Sequence, residues 1–150
     1  MERKRRIVPP VYLTLTIIVM ALLHFLAPGA RLIAPPYNFL GLVPVVLGFV
    51  MAGIAAGAFA RAGTPVVPFE RSTALVTDGI YRVTRNPMYL GMILVLIGTA
   101  VLFGTVTPWL PVPVFIWIIQ TRFVRAEERF LEELFGEEYL AYRRRVRRWL

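Results

Sequence analysis

Two stretches of this chain carry nearly all the side chains able to act on a ligand. The first reads Gly79-Ile80-Tyr81-Arg82-Val83-Thr84-Arg85-Asn86-Pro87-Met88-Tyr89-Leu90-Gly91, crowding tyrosines, arginines and an amide together. The second begins near Gln120 and holds Glu127, Glu128, Tyr139, Tyr142 and the run Arg143-Arg144-Arg145-Val146-Arg147-Arg148. On a helix of about 100° per residue, Gln120, Phe123, Val124, Glu127, Phe130, Leu131 and Leu134 share one face, which sets Glu127 in the middle of an apolar stripe. A carboxylate there must be paired, hydrated or neutralised, because burying an isolated charge is costly. Either it pairs structurally with a loop arginine such as Arg82 or Arg85, or it meets a polar or cationic ligand. Glu128 falls at the edge of the stripe, with Arg122, Arg125 and Arg129 around the far side.

Other chemistries are excluded by composition. The chain has no cysteine, which removes thiol nucleophiles, disulfides and thiolate metal sites. With one histidine, His24, and scattered carboxylates, no zinc or di-iron site is expected. No P-loop or G-x-G-x-x-G fingerprint occurs.

The elements that must position these residues are apolar helices. Of the 150 residues, 57% are hydrophobic and only 17% charged, against about 25% charged in an ordinary soluble domain, so the bilayer is the expected solvent. A spanning helix needs about 20 mostly apolar residues. Four segments approach that length: Val11 to Ala27, Asn38 to Ala60, Met88 to about Thr107, and a shorter run leading to Thr121 after Pro108-Trp109-Leu110-Pro111-Val112-Pro113. The basic Arg3-Lys4-Arg5-Arg6 before the first span imitates a secretory signal, but no small-residue cleavage pattern closes it, and it is taken as a retained first helix. The net charge of +8 does not point to nucleic acid, since the basic residues flank apolar runs as they do in membrane proteins.

The same flanking charges orient the chain. Arg3 to Arg6, then Arg61, Arg71, Arg82 and Arg85, then Arg122 and all later arginines fall on one side of a four-span arrangement, and Arg31 alone on the other. Enrichment of Lys and Arg in cytoplasmic loops makes the first side cytosolic. The expected fold is therefore an all-α polytopic bundle with both termini in the cytosol, ending in an amphipathic helix, as a single domain over residues 1–150. Gly48, Ala52, Ala56 and Ala60, with the pair Gly53 and Gly57, predict close helix packing along the second span, and Gly91 and Gly98 a contact seam on the third. Asn86 sits where an N-cap would be and Pro87 suits the first helical turn. The terminal basic run suits anionic headgroups.

The ordered combination of Arg85-Asn86-Pro87-Met88-Tyr89, an apolar hairpin, Glu127-Glu128 and the Phe135-Gly136-Glu137-Glu138-Tyr139 tail resembles the R-H-P-x-Y, hydrophobic, E-E pattern of the isoprenylcysteine carboxyl methyltransferase and phospholipid methyltransferase superfamily. The match covers the C-terminal half to three fifths of the chain. The resemblance implies an integral membrane methyltransferase with its site facing the cytosol, S-adenosylmethionine as cofactor, and a lipid-like or isoprenoid substrate entering from the bilayer. Carried over by position, Tyr81, Arg85, Asn86, Pro87, Tyr89 and Gly91 form one cofactor wall, Glu127 and Glu128 the other, and Tyr139, Tyr142 and Arg145 close it. Arg122 or Arg125 would orient an acceptor carboxylate. The family histidine is Asn86 here, and asparagine cannot shuttle a proton at neutral pH. The alternatives are an NADPH-dependent reductase of the sterol reductase kind and a non-catalytic membrane protein whose basic tail binds lipid headgroups.

Overall fold

A computed structural model describes residues 8–65 and 73–150. Arg3 to Arg6 and Arg71, which entered the charge argument, lie outside the described residues. Within them the chain is helical, with no strand beyond one isolated bridge.

Helix α1 (Pro9–Leu26) opens on two prolines, tolerated in a first turn because the amide donors there have no intrahelical acceptor. It ends before Pro28-Gly29, and a short 3-10 turn, Tyr37–Gly41, leads straight into α2 (Leu42–Arg61). Helix α3 (Pro87–Phe103) closes on Gly104 in the left-handed conformation, φ 70°. After a further 3-10 turn, Thr107–Trp109, the chain runs without a break through α4 (Pro111–Ile119), a π turn at Gln120–Val124 and α5 (Arg125–Phe135). The short fourth apolar run and the amphipathic helix expected after it are thus one continuous rod. Gly136, φ 51°, interrupts it, and α6 (Glu137–Arg145) precedes an extended tail.

Helix α1 and the segment Tyr37–Arg61 are each long and apolar enough to cross a membrane, and α3 is a shorter apolar helix. Their outer faces carry Leu22, Phe25, Leu26, Val43, Leu47 and Phe49, all exposed. An apolar surface so extensive suits contact with lipid better than with water. The buried core lies between α1, α3 and the α4 rod, around Met20, Leu96, Phe115, Ile119 and Val124. At one end the connection after α1 is tied to the one after α3, through Leu32 and Ile33 amides on the Gly104 carbonyl and Val106 on that of Ala30. His24 shares this end, stacked on Phe103 with Nδ1 2.9 Å from the Thr105 hydroxyl, a packing and interfacial role.

Helices α2 and α3 pack most closely, and the period of their seam is seven rather than four. Any Cβ on Gly48 would strike the Gly91 carbonyl and the reverse, while Gly41 and Gly98 are related in the same way. The expected pair Gly53 and Gly57 lies off this seam: Gly53 faces open space and Gly57 meets only the Arg61 side chain. A heptad from Gly41 through Gly48 to the fully buried Ala55 keeps one face toward the partner helix, whereas a four-residue stripe drifts away from it. Gly91, expected at the cofactor wall, is spent on this contact and does not reach a cavity.

Substituting Gly48→Val or Gly91→Val is therefore expected to lower stability by about 1–3 kcal/mol or to block folding. Thermal unfolding in detergent measures this, with Gly53→Val expected to match the unsubstituted protein.

Candidate functional site

The loop entering α3 is shaped by its own backbone. Gly79, φ 61°, starts a 3-10 turn, Gly79–Arg82, which brings the buried Tyr81 ring against Phe59 with centroids 5.6 Å apart. Arg82 turns outward to an exposed pair with Asp78. Asn86 occupies the N-cap position of α3 and Pro87 its first turn, yet the Asn86 side chain makes no capping bond. Its amide instead donates to the Arg148 carbonyl at 3.0 Å, beside a bond from the Thr84 hydroxyl to the same oxygen at 3.1 Å. The Arg85 amide donates to the Arg147 carbonyl. The extended tail after α6 is thereby laced onto the start of α3, and the Trp149 indole adds a bond to the Gln120 side chain at 3.1 Å.

The two adjacent glutamates have different surroundings. Glu128 is buried and faces two cations: Arg148 grips it with Nε at 2.9 Å and Nη2 at 2.7 Å on its two oxygens, and Arg85 lies 3.2 Å away. Such a fork is the strong form of carboxylate recognition. Glu127 has no ion pair among the described residues and accepts one hydrogen bond, from the Tyr89 hydroxyl at 2.9 Å. Burial pushes its carboxyl up to about 7, the Tyr89 bond works against that shift, and the neighbouring Glu128 charge adds to it. Glu127 lines a cavity. The sequence set Glu127 in mid-stripe and Glu128 at the edge, whereas Glu128 is the deeper of the two. The π turn accounts for this, because its wider winding rotates everything after Val124 relative to a straight α-helix.

The cavity measures about 370 Å³. Tyr81, Arg85, Asn86, Pro87 and Tyr89 line one side, Glu127 and Glu128 another, and Tyr139 and Tyr142 come from α6. Tyr139 is 3.4 Å from Arg85 Nη1, and the Tyr142 hydroxyl donates to the Tyr81 carbonyl at 2.7 Å. Burial raises the phenols of Tyr81, Tyr139 and Tyr142 above their ordinary value, so they stay protonated at neutral pH. The remaining wall is apolar: Pro9, Phe59, Met88, Met92, Phe130 and Leu131. The Arg85 Nε is buried without a hydrogen-bond partner.

Arg122, Arg125 and Arg145, expected at the site, are exposed and lie outside the cavity, as does Gly91. An unpaired guanidinium is costly to bury, and the local carboxylates are already engaged by Arg85, Arg148 and Tyr89. Neither Arg82 nor Arg85 pairs with Glu127. Arg148 was missed because it sits in a run of arginines whose residue types are alike. Phe59 carried a faint signal, as the one aromatic near the end of an alanine-rich helix.

Fold and site together define a helical protein of membrane character with a tyrosine-lined, carboxylate-bearing cavity at one end of its bundle. The phospholipid methyltransferase family model matches residues 37–138. A probable protein-S-isoprenylcysteine O-methyltransferase of Oryza sativa subsp. indica is 31% identical over 111 residues, covering 73% of this chain and 58% of the relative. The protein-S-isoprenylcysteine O-methyltransferase of Schizosaccharomyces pombe is 33% identical over 107 residues, 67% of this chain and 45% of the relative. An uncharacterized protein of Haemophilus influenzae is 41% identical over 63 residues, 42% of this chain and the whole of that protein. The chain belongs to the superfamily of isoprenylcysteine carboxyl and phospholipid methyltransferases. It spans a little over half the length of the plant enzymes it matches.

With its folded value raised from 4.5 to about 7, Glu127 binds more protons folded than unfolded between those limits, so its contribution to stability falls as pH rises through that window. Tyr89→Phe removes the bond that favours the ionised form. Its unfolding temperature is expected to fall more than that of the unsubstituted protein as pH is raised from 5 to 8, with a loss of about 0.5–1.5 kcal/mol at the upper end.

Proposed function

We propose that this chain is an integral membrane methyltransferase that uses S-adenosylmethionine to methylate a lipid-like acceptor, most favourably a carboxylate of the isoprenylcysteine kind. The observation that carries this is Glu127: a carboxylate on the cavity wall with a hydrogen-bond donor and, among the described residues, no cation. The donor set fits a zwitterionic ligand with a cationic centre. Glu127 offsets positive charge and accepts hydrogen bonds from amino or hydroxyl groups, while the Arg85 guanidinium on the same wall is suited to a ligand carboxylate. A volume of about 370 Å³ lies within the range of small-molecule sites, roughly 300–1,000 Å³.

When bound, the cofactor would supply a methyl group from its sulfonium, with S-adenosylhomocysteine as the thioether leaving group. The residues align and dehydrate. The phenols of Tyr81, Tyr139 and Tyr142 stay neutral and add no opposing charge, and their rings give a cation an aromatic surround. Phe59, Met88, Met92, Phe130 and Leu131 exclude water and suit an apolar acceptor. A carboxylate acceptor arrives ionised and needs no base. Asn86 agrees with this, since its amide is held by the Arg148 carbonyl and has no proton to shuttle.

The relatives named as isoprenylcysteine O-methyltransferases support the acceptor class. For the membrane arrangement we take four spans, α1, α2, α3 and the α4 rod, with the cavity facing the cytosol. The support is that Arg61, Arg82, Arg85 and the arginines from Arg122 onward gather at the cavity end, opposite Arg31.

Calorimetry on the detergent-purified chain tests this reading. S-adenosylhomocysteine is expected to bind and NADPH not to; the reverse would identify a reductase, and silence toward both a non-catalytic protein. Glu127→Gln is expected to weaken S-adenosylmethionine binding about tenfold or more, some 1.4 kcal/mol, with Arg125→Gln unchanged. Affinity for the cationic cofactor should rise as pH passes through about 7, where Glu127 ionises.

A further inference from the structure

Two carboxylates stand side by side on α5, and only one is left for a ligand. The difference is made by a residue from the far end of the described chain. Arg148 forks both oxygens of Glu128, 2.9 and 2.7 Å, and with Arg85 at 3.2 Å gives that carboxylate two cations. The fork is itself held in place: the Arg148 carbonyl accepts from Thr84 and Asn86, the Arg147 carbonyl from the Arg85 amide, and Trp149 bonds Gln120. Of these partners Arg85, Asn86 and Glu128 line the cavity, Gln120 opens the π turn, and Thr84 sits in the loop that carries Arg85. A tail tied to five residues of the site by backbone and side chain is a built part of it, although the family match ends at residue 138.

We propose that Arg148 is a positioning residue: by occupying Glu128 it sets the charge of the carboxylate pair so that Glu127 alone faces the cationic ligand. This rests on the methyltransferase reading above. The titratable and charged groups that line the cavity with Glu127 are Tyr89 on α3, Tyr81 in the 3-10 turn, Glu128 beside it, Arg85 in the loop and Tyr139 and Tyr142 on α6, and Arg148 reaches the pair from the tail through Glu128. The tyrosines are neutral near pH 7, so the charges that decide are Glu128 against Arg85 and Arg148. Removing Arg148 leaves the Glu128 charge less compensated, and an uncompensated neighbouring carboxylate makes Glu127 harder to ionise. Removing the Glu128 charge does the opposite, since that charge is one of the causes that hold Glu127 protonated. Support of the fold without influence on the ligand carboxylate predicts neither shift.

The test follows two readouts against pH on the purified full chain: S-adenosylmethionine affinity, and Glu127 protonation from the infrared carboxylic-acid band that Glu127→Gln abolishes. Arg148→Gln is expected to move both midpoints upward by about half a pH unit or more, and Glu128→Gln to move them downward. Arg148→Lys, which keeps the charge without the fork, should return the midpoint most of the way. Arg145→Gln, the same charge change at an exposed neighbour, should leave it unmoved. A folded Arg148→Gln variant with an unshifted midpoint overturns the proposal; where that variant does not fold, equal midpoints in Glu128→Gln and the unsubstituted protein overturn it instead. Infrared shifts as expected in a protein that binds no S-adenosylmethionine at any pH would refute the proposed function and leave the role of Arg148 standing.

Discussion

The cluster of Glu128 with Arg85 and Arg148 is the constraint on which the cavity end of this molecule depends. It joins the loop before α3, the rod carrying α5 and the tail after α6, none of them neighbours in sequence. A buried carboxylate cannot stand alone, and one guanidinium gripping it with two parallel bonds fixes direction as well as charge. The consequence reaches beyond the pair. The tail that delivers Arg148 also supplies the carbonyls on which Asn86, Thr84 and Arg85 are hung, so the cavity-facing edge of α3 and the tail are mutually determined.

The other half of the architecture depends on glycine. The α2–α3 seam brings two backbones into contact at Gly41–Gly98 and Gly48–Gly91, and it sets how far the start of α3 stands from the end of α2. Phe59 on α2 and Met88, Tyr89 and Met92 on α3 line the same cavity, so its width on that side follows from a contact made by residues without side chains.

Much of this is legible in the sequence, for reasons that differ by residue. Long uncharged runs announce α1, α2 and α3, because length and hydropathy need no knowledge of neighbours. Glu127 is legible as a charge in an apolar stripe. The depth of Glu128 is not, because the π turn inserts a rotation that a projection at constant pitch cannot contain. The α3 side of the seam, Gly91 and Gly98, is legible at its true spacing of seven, whereas on α2 alanines at a spacing of four hide the heptad of Gly41, Gly48 and Ala55. Arg122, Arg125 and Arg145 look no different from Arg148 by type. Only the fold separates an arginine facing solvent from one facing a carboxylate.

The unbroken run from Pro111 through the π turn to Phe135 also gives the site a mechanical character. Glu127 and Glu128 ride on the same rod as the apolar segment, about 24 Å along its axis from Pro111 at 1.5 Å per residue. In the proposed four-span arrangement such a rod would answer to the thickness of the bilayer by leaning, and a lean of about 5° about its far end would displace the carboxylates by roughly 2 Å. Displacements of that order separate aligned reactants from idle ones. The tail anchored through Arg148 and Trp149 would then work as a guy-line against that lean, and the geometry of the pair would belong to the protein and its surrounding lipid together.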